Sequence, residues 1–132
     1  MIGIDRSLRR IASNGGKVGG SFAGAPLLLL TTTGAKSGMA RTTPVMYLPD
    51  GERLIIFASK AGASTNPDWY HNLVAHPQAT VEVGSETFKV TAVEVTGEER
   101  DQLYARQATL YPGFAAYEAK TTRRIPVIAL QR

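Results

Sequence analysis

The side chains best suited to chemistry on an anion are two lysines, an arginine and two serines. Lys36, Ser37 and Arg41 fall in "TTTGAKSGMAR" at 31–41, and Ser59 with Lys60 in "ASKAG" at 58–62. Gly34 and Gly38 bracket Lys36 and Ser37, with Arg41 just beyond, and permit a tight turn with close backbone approach. Such a turn can aim backbone N–H groups at an anion. Lys36 adds a point charge and Ser37 a hydroxyl. Arg41 adds a planar fork that grips a phosphate or carboxylate with two bonds. No acid lies between Asp5 and Asp50, so these cations lack a local salt-bridge partner. On composition alone, a solvated hairpin tip is an equal alternative. If the strands on either side of "PDG" pair, Ser59 comes close to Arg41, and the five groups line one rim.

Two aromatic stretches stand beside these. "NPDWYHN" at 66–72 holds Trp69, the only tryptophan, which is either a core anchor or a wall for a planar ring. In "LYPGFAAY" at 110–117, Tyr111, Phe114 and Tyr117 recur around a Pro-Gly break and either line a pocket lip or pack. A tyrosine hydroxyl is a neutral donor at pH 7, with an ordinary pKa of about 10. His71 and His76 point to different faces of one short helix and lack a third ligand, so no metal site is expected. "GAKSG" lacks the P-loop spacing. The cations are not interleaved with aromatics as in single-strand binders, so no nucleic acid is expected. With no cysteine, disulfides, thiolate nucleophiles and Cys-based metal sites are excluded.

The elements that must position these groups read mostly as strands. Residues 26–33, 40–48 and 53–59 form three, with Pro49-Asp50-Gly51 as a turn. Asn66 caps a helix with Pro67 at its first position, and the helix stops at His76-Pro77. A hairpin follows with Gly84-Ser85 at its tip; Val81 and Val83 alternate on one arm, and Phe88, Val90 and Ala92 on the other. Thr96 and Glu99 form a capping box for a second helix that runs to Pro112-Gly113. A short helical turn over "FAAYEAK" and a last strand in "IPVIAL" complete the chain. Six strands and two main helices predict a small, mostly antiparallel barrel with helices over its openings.

The 132 residues fit one domain, 1–132, with 1–20 as an N-terminal helix and linker. Ile4, Leu8 and Ile11 share a helical face, and Arg6, Arg9 and Arg10 suit a terminus that docks, frays or meets an acidic membrane surface. The charge of +4, with 15 Lys and Arg against 11 Asp and Glu, is modest. The N-terminal part carries the excess. No run approaches the roughly 18 apolar residues that span a bilayer, and no secretory signal is expected, so a cytoplasmic protein is the default.

The joint order of "TTTGAKSGMAR", "ASKAGASTNPDWYHNLVAHP", "YPGFAAY" and "IPVIAL" resembles the deazaflavin-dependent nitroreductase family of actinobacteria, from about residue 18 onward. The resemblance implies a split β-barrel of the kind found in flavin reductases and pyridoxamine-phosphate oxidases, an α+β fold with antiparallel strands and flanking helices. It implies coenzyme F420, an 8-hydroxy-5-deazaflavin with a phosphate and a polyglutamate tail. Lys36, Ser37, Arg41, Ser59 and Lys60 match family positions around the phosphate. Trp69 and Tyr70 match the helix beside the deazaflavin, with Thr43, Pro44 and Asn72 in the same cofactor-binding set. Tyr111 and Tyr117 match tyrosines on the substrate side. Phe114 stands where the best-known nitroreductase of the family has a tyrosine, a departure that bears on nitroimidazole activation.

The implied reaction is hydride transfer from reduced F420 to a small electron-poor acceptor such as a quinone, a nitroaromatic or an enone. The proton then comes from Tyr117, Tyr111 or water. The alternatives are an FMN-dependent reductase of the same fold, or a protein that binds the deazaflavin without turnover. A monomer or homodimer, in the cytoplasm or peripheral at the inner face of the plasma membrane, completes the expectation.

Overall fold

Strand β2, Ala25–Thr33, organises the molecule because three partners use it. It pairs antiparallel with β1 (Lys17–Val18), β3 (Ala40–Met46) and β6 (Gln78–Val83). The computed structural model describes residues 17–18 and 25–132. The expected N-terminal helix lies outside the described residues. Part of the expected linker, Lys17–Val18, is strand.

The sheet order is β1-β2-β6-β7-β8-β5-β4, with β3 attached to the other edge of β2. Here β4 is Leu48–Asp50, β5 Arg53–Phe57, β7 Glu86–Val95 and β8 Val127–Gln131. All described pairings are antiparallel. Among the described residues, three α-helices accompany the sheet: α1 Asp68–Ala75, α2 Gly97–Leu110 and α3 Gly113–Lys120.

Strand alternation builds two cores. On β5, Ile55 and Phe57 point to one side and Ile56 to the other; on β8, Val127 and Ala129 separate from Ile128 and Leu130 in the same way. The first core takes Leu103 and Tyr104 from α2 and Phe114 from α3. The second takes Leu73 from α1, Leu28 and Leu30 from β2, and Val81 and Val90 from the β6–β7 hairpin. Because both faces of β5 and β8 are covered, those strands read as continuous apolar runs.

The β6–β7 hairpin forms as the sequence predicts. Val83 faces Glu86 across Gly84-Ser85, and Gly84 takes φ 59°. The expected 40–48 strand instead divides at Tyr47. Residues 40–46 pair with β2, and 48–50 pair with β5 through the Asp50–Arg53 turn. The "PDG" turn therefore joins only β4 to β5, and β3 forms no ladder with β5 among the described residues. The strand expected at 53–59 ends at Phe57.

Two caps also differ. Pro67, in extended conformation, is the N-cap of α1, while Asn66 lies outside the helix and accepts from Arg123 Nη1 at 2.7 Å. Thr96 is the N-cap of α2, but its side chain caps nothing; Gly97 has φ 66°, and Glu99 accepts from Arg53 Nη2 at 3.1 Å instead of folding back.

Candidate functional site

The β2–β3 hairpin tip is rigid for identifiable reasons. Gly34 N–H donates to Met39 O at 2.8 Å, Gly38 N–H to Gly34 O at 2.9 Å, and Gly38 takes φ 70°. A Cβ on Gly34 would stand 2.5 Å from Ser37 Oγ and 3.3 Å from Met39 O, so a side chain there would displace the Ser37 hydroxyl. The threonines are cross-braces. Thr31 and Thr42 share a hydroxyl hydrogen bond of 2.8 Å, and buried Thr32 Oγ1 accepts from Asn72 Nδ2 at 3.0 Å. Asn72 Oδ1 accepts the Ala35 N–H at 2.9 Å. One buried amide on α1 thus holds both the strand and its turn.

A second loop faces the hairpin. Lys60 and Ala61 adopt φ 46° and 53°, the left-handed region, and Gly62 follows at 79°. Such conformations cost about 1–3 kcal/mol each at non-glycine residues and persist where surrounding contacts over-determine them. Here the contacts are visible. Arg123 donates from Nε to Ala63 O at 2.9 Å, from Nη2 to Ser59 O at 2.8 Å, and from Nη1 to Asn66. Burial pulls the Arg123 guanidinium below its ordinary pKa. On the other side, a Cβ on Gly62 would meet Tyr117 O at 3.0 Å, so the loop lies directly against α3.

Between hairpin and loop lies a groove of about 970 Å³. Lys36, Ser37, Arg41 and Thr43 come from the hairpin, Lys60 from the loop, and Trp69 and Asn72 from α1. Asp68 and His71 also line it; the sequence reasoning did not place them there, although Asp68, His71 and Asn72 share a face at helical spacing. Asp68 is the single acid of the lining. The cations Lys36, Arg41 and Lys60 form no ion pair with another described residue, whereas Arg53, Arg100, Arg106, Arg124 and Arg132 all do. Among the described residues, Lys60 Nζ donates to Thr65 Oγ1 alone, at 3.3 Å.

A smaller cavity of about 200 Å³ adjoins the groove and shares Lys60, Pro67 and Trp69 with it. Its walls are Val45 and Met46 of β3, Phe57 of β5, and Phe114 and Tyr117 of α3, with Ser59, expected on the rim with Arg41, in this lining and not in that of the groove. The Phe114 and Tyr117 rings meet edge-on at 5.3 Å. Phe114 is fixed from behind. Its carbonyl accepts from the Tyr104 hydroxyl at 2.6 Å, a phenol that burial pushes up to about pKa 12.

Three of the expected site residues stand apart. The Tyr70 hydroxyl donates to Glu94 Oε1 at 2.8 Å, and its ring borders a different cavity with Leu73 and Val74. Tyr111 packs against the first core and lines neither cavity. Pro44 pairs with Leu29 in the ladder and also lines neither.

The architecture recurs in known structures. A Listeria innocua protein of pyridoxamine 5′-phosphate oxidase type superposes with a TM-score of 0.56 over 79% of this chain and 81% of its own, at 12% identity. The fold is thus the split barrel: a curled antiparallel sheet with helices packed on it.

The profile of the F420H(2)-dependent quinone reductase family matches residues 6–132, and the chain belongs to that family. An F420H(2)-dependent quinone reductase of Mycobacterium tuberculosis is 42% identical over 123 residues, 89% of this chain and 81% of the relative. The solved structure of an F420-H2 dependent reductase has a TM-score of 0.73 at 39% identity, over 80% of this chain and 94% of that one. A structure described as a domain-swapped dimer has a TM-score of 0.75 at 36% identity, covering 95% and 94%. The protein is an oxidoreductase, its cofactor is coenzyme F420, and the family reaction is hydride transfer from F420H2 to a quinone.

The donor set fits this cofactor. Lys36, Arg41 and Lys60, which form no ion pair with another described residue, outnumber the one acid of the lining and would suit an anionic coenzyme, and the groove's volume suits a ligand of that size.

Proposed function

We propose that the cationic groove holds coenzyme F420 and that the adjoining apolar cavity receives the quinone. The observation that carries this reading is the convergence of Lys36, Arg41 and Lys60, unpaired among the described residues, on a groove that shares Trp69 with an aromatic-walled cavity. When bound, the coenzyme supplies a hydride. The chain's own residues bind, orient and exclude water. Lys36, Arg41 and Lys60 neutralise the anionic arm, and Ser37 and Thr43 offer hydroxyl donors to it. Trp69 stands as a wall between the two spaces. Val45, Met46, Phe57 and Phe114 keep the acceptor cavity dry, which strengthens each polar contact made inside it. Tyr117 is the phenol in that lining, beside the Ser59 hydroxyl, and is assigned the proton donor or hydrogen-bond partner for the acceptor oxygen. Tyr111 gives up this role because it lines neither cavity.

Mixing the protein with F420H2 and menadione tests the assignment. Oxidised deazaflavin absorbance should grow faster than in the protein-free blank, and equal rates would overturn it. Parallel titrations with oxidised F420 and FMN identify the coenzyme, and tighter FMN binding would replace F420. For assembly we favour the homodimer, since a relative 36% identical to this chain is described as a domain-swapped dimer. Sedimentation at a monomer mass would reject it.

A further inference from the structure

We propose that Arg123 is a positioning residue for the coenzyme site, acting through Lys60 and not by touching ligand. The inference rests on the groove reading above. Arg123 lies between α3 and β8, with its own N–H held by Thr121 Oγ1 at 3.3 Å. It lines neither the groove nor the aromatic cavity. Its three donor nitrogens all reach one segment, at Ser59 O, Ala63 O and Asn66 Oδ1, between 2.7 and 2.9 Å. A planar fork with several fixed donors can fix three acceptors at once, and a lysine cannot.

The clamped segment is the one in which Lys60 and Ala61 hold left-handed backbone conformations. Left to itself, a lysine prefers the right-handed or extended regions, which would swing its ammonium elsewhere. Lys60 lines both cavities, so its backbone conformation decides where a charge stands at their junction. The clamp also closes a mechanical circuit. Arg123 lies three residues past the end of α3, Gly62 packs on the backbone of Tyr117, and Tyr117 lines the aromatic cavity. The segment is therefore fixed from just past the end of α3 by Arg123 and from its middle by Tyr117. One side chain, outside the lining of both cavities, sets the relation between the groove cation and the acceptor wall.

The decisive experiment is a double-mutant cycle of Arg123→Gln and Lys60→Ala. It is read by titrating oxidised F420 against the fluorescence of Trp69, so no turnover is needed. Arg123→Gln in the otherwise natural chain should weaken binding about tenfold, the loss of a charged contact. In the Lys60→Ala background it should weaken binding far less, because the residue it positions is gone. Equal losses in both backgrounds, or no loss in either, would overturn the proposal.

Hydrogen exchange without coenzyme gives the second arm. The Gly62 and Ala63 amides, which donate to Ser59 O and Lys60 O, should exchange faster in Arg123→Gln and at an intermediate rate in Arg123→Lys. Unchanged exchange there would also overturn it. If the natural chain fails to bind F420, the coenzyme reading falls, while the exchange arm still decides the clamp. Asn66→Ala removes one acceptor of the three and gives the same comparisons should Arg123→Gln fail to fold. Arg124→Gln, which breaks only a surface ion pair with Asp101, should leave binding and exchange unchanged, and a matching change in that control would overturn the assignment.

Discussion

At the scale of single residues, the cations of the groove carry the sharpest expectation. Lys36→Ala and Arg41→Ala should each weaken F420 binding by about 1–3 kcal/mol, the range for a hydrogen bond to a charged group. Titration of the coenzyme reads this directly, and the slope of affinity against salt should flatten in both variants. Tyr117→Phe should lower kcat with quinone more than it weakens coenzyme binding; an equal loss in both would move Tyr117 to the coenzyme side. Lys36, Ser37 and Arg41 were legible in the sequence because two glycines bracket the first two, Arg41 follows close behind, and no acid competes for the cations. Tyr70 was misleading for a geometric reason. Asp68, Trp69, His71 and Asn72 cover one arc of the helix, and Tyr70, at about 100° per residue, falls on the far side of it. Trp69 faces the groove, and Tyr70 turns to Glu94. Arg123 left no sequence signal at all, since its three bonds reach back between 57 and 64 positions.

At the scale of elements, Asn72 shows how a helix can hold a turn. Its amide spends both ends on the protein, at Thr32 and Ala35, so it braces the cation-bearing hairpin from within the groove wall. Asn72→Ala should cost about 1–3 kcal/mol in denaturant unfolding, because buried Thr32 loses its donor, and should weaken F420 binding as the hairpin loosens. The β4–β5 turn is tied to α2 by a different device. Asp50 accepts from both Arg53 and Arg106, and Arg53 also reaches Glu99. The two guanidiniums, Arg53 first, hold the Asp50 carboxyl below its ordinary value of 3.8. A depressed carboxylate contributes stability that is fully present above its unfolded pKa and is lost as pH falls through the folded one. Melting of the natural chain and of Asp50→Asn should therefore differ near neutrality and converge on acidification below about pH 4. The difference should be small and should shrink with salt, because the pair is partly exposed. Turn chemistry made the β6–β7 hairpin readable in advance. The break at Tyr47 was not, because residues 40–48 keep a strand-like composition through it and only the pairing partner changes.

At the scale of the whole molecule, the fold follows from apolar runs that serve two cores at once. Leu30 is fully buried in the core beneath the hairpin, and Leu30→Ala should cost about 2–5 kcal/mol in chemical denaturation. The barrel class was legible from strand count and turn spacing. Its particular closure was not, since that depends on which edges meet after the sheet curls. The chain crosses from β3, at one border of the sheet, to β4, at the other, through the single residue Tyr47. A covalent stitch thus stands where a closed barrel would have a ladder, and Val45, Met46 and Phe57 flank the resulting slot. Spreading the slot parts side chains and breaks no strand-to-strand hydrogen bond. A flat molecule entering edgewise there would displace side chains and leave every described ladder intact.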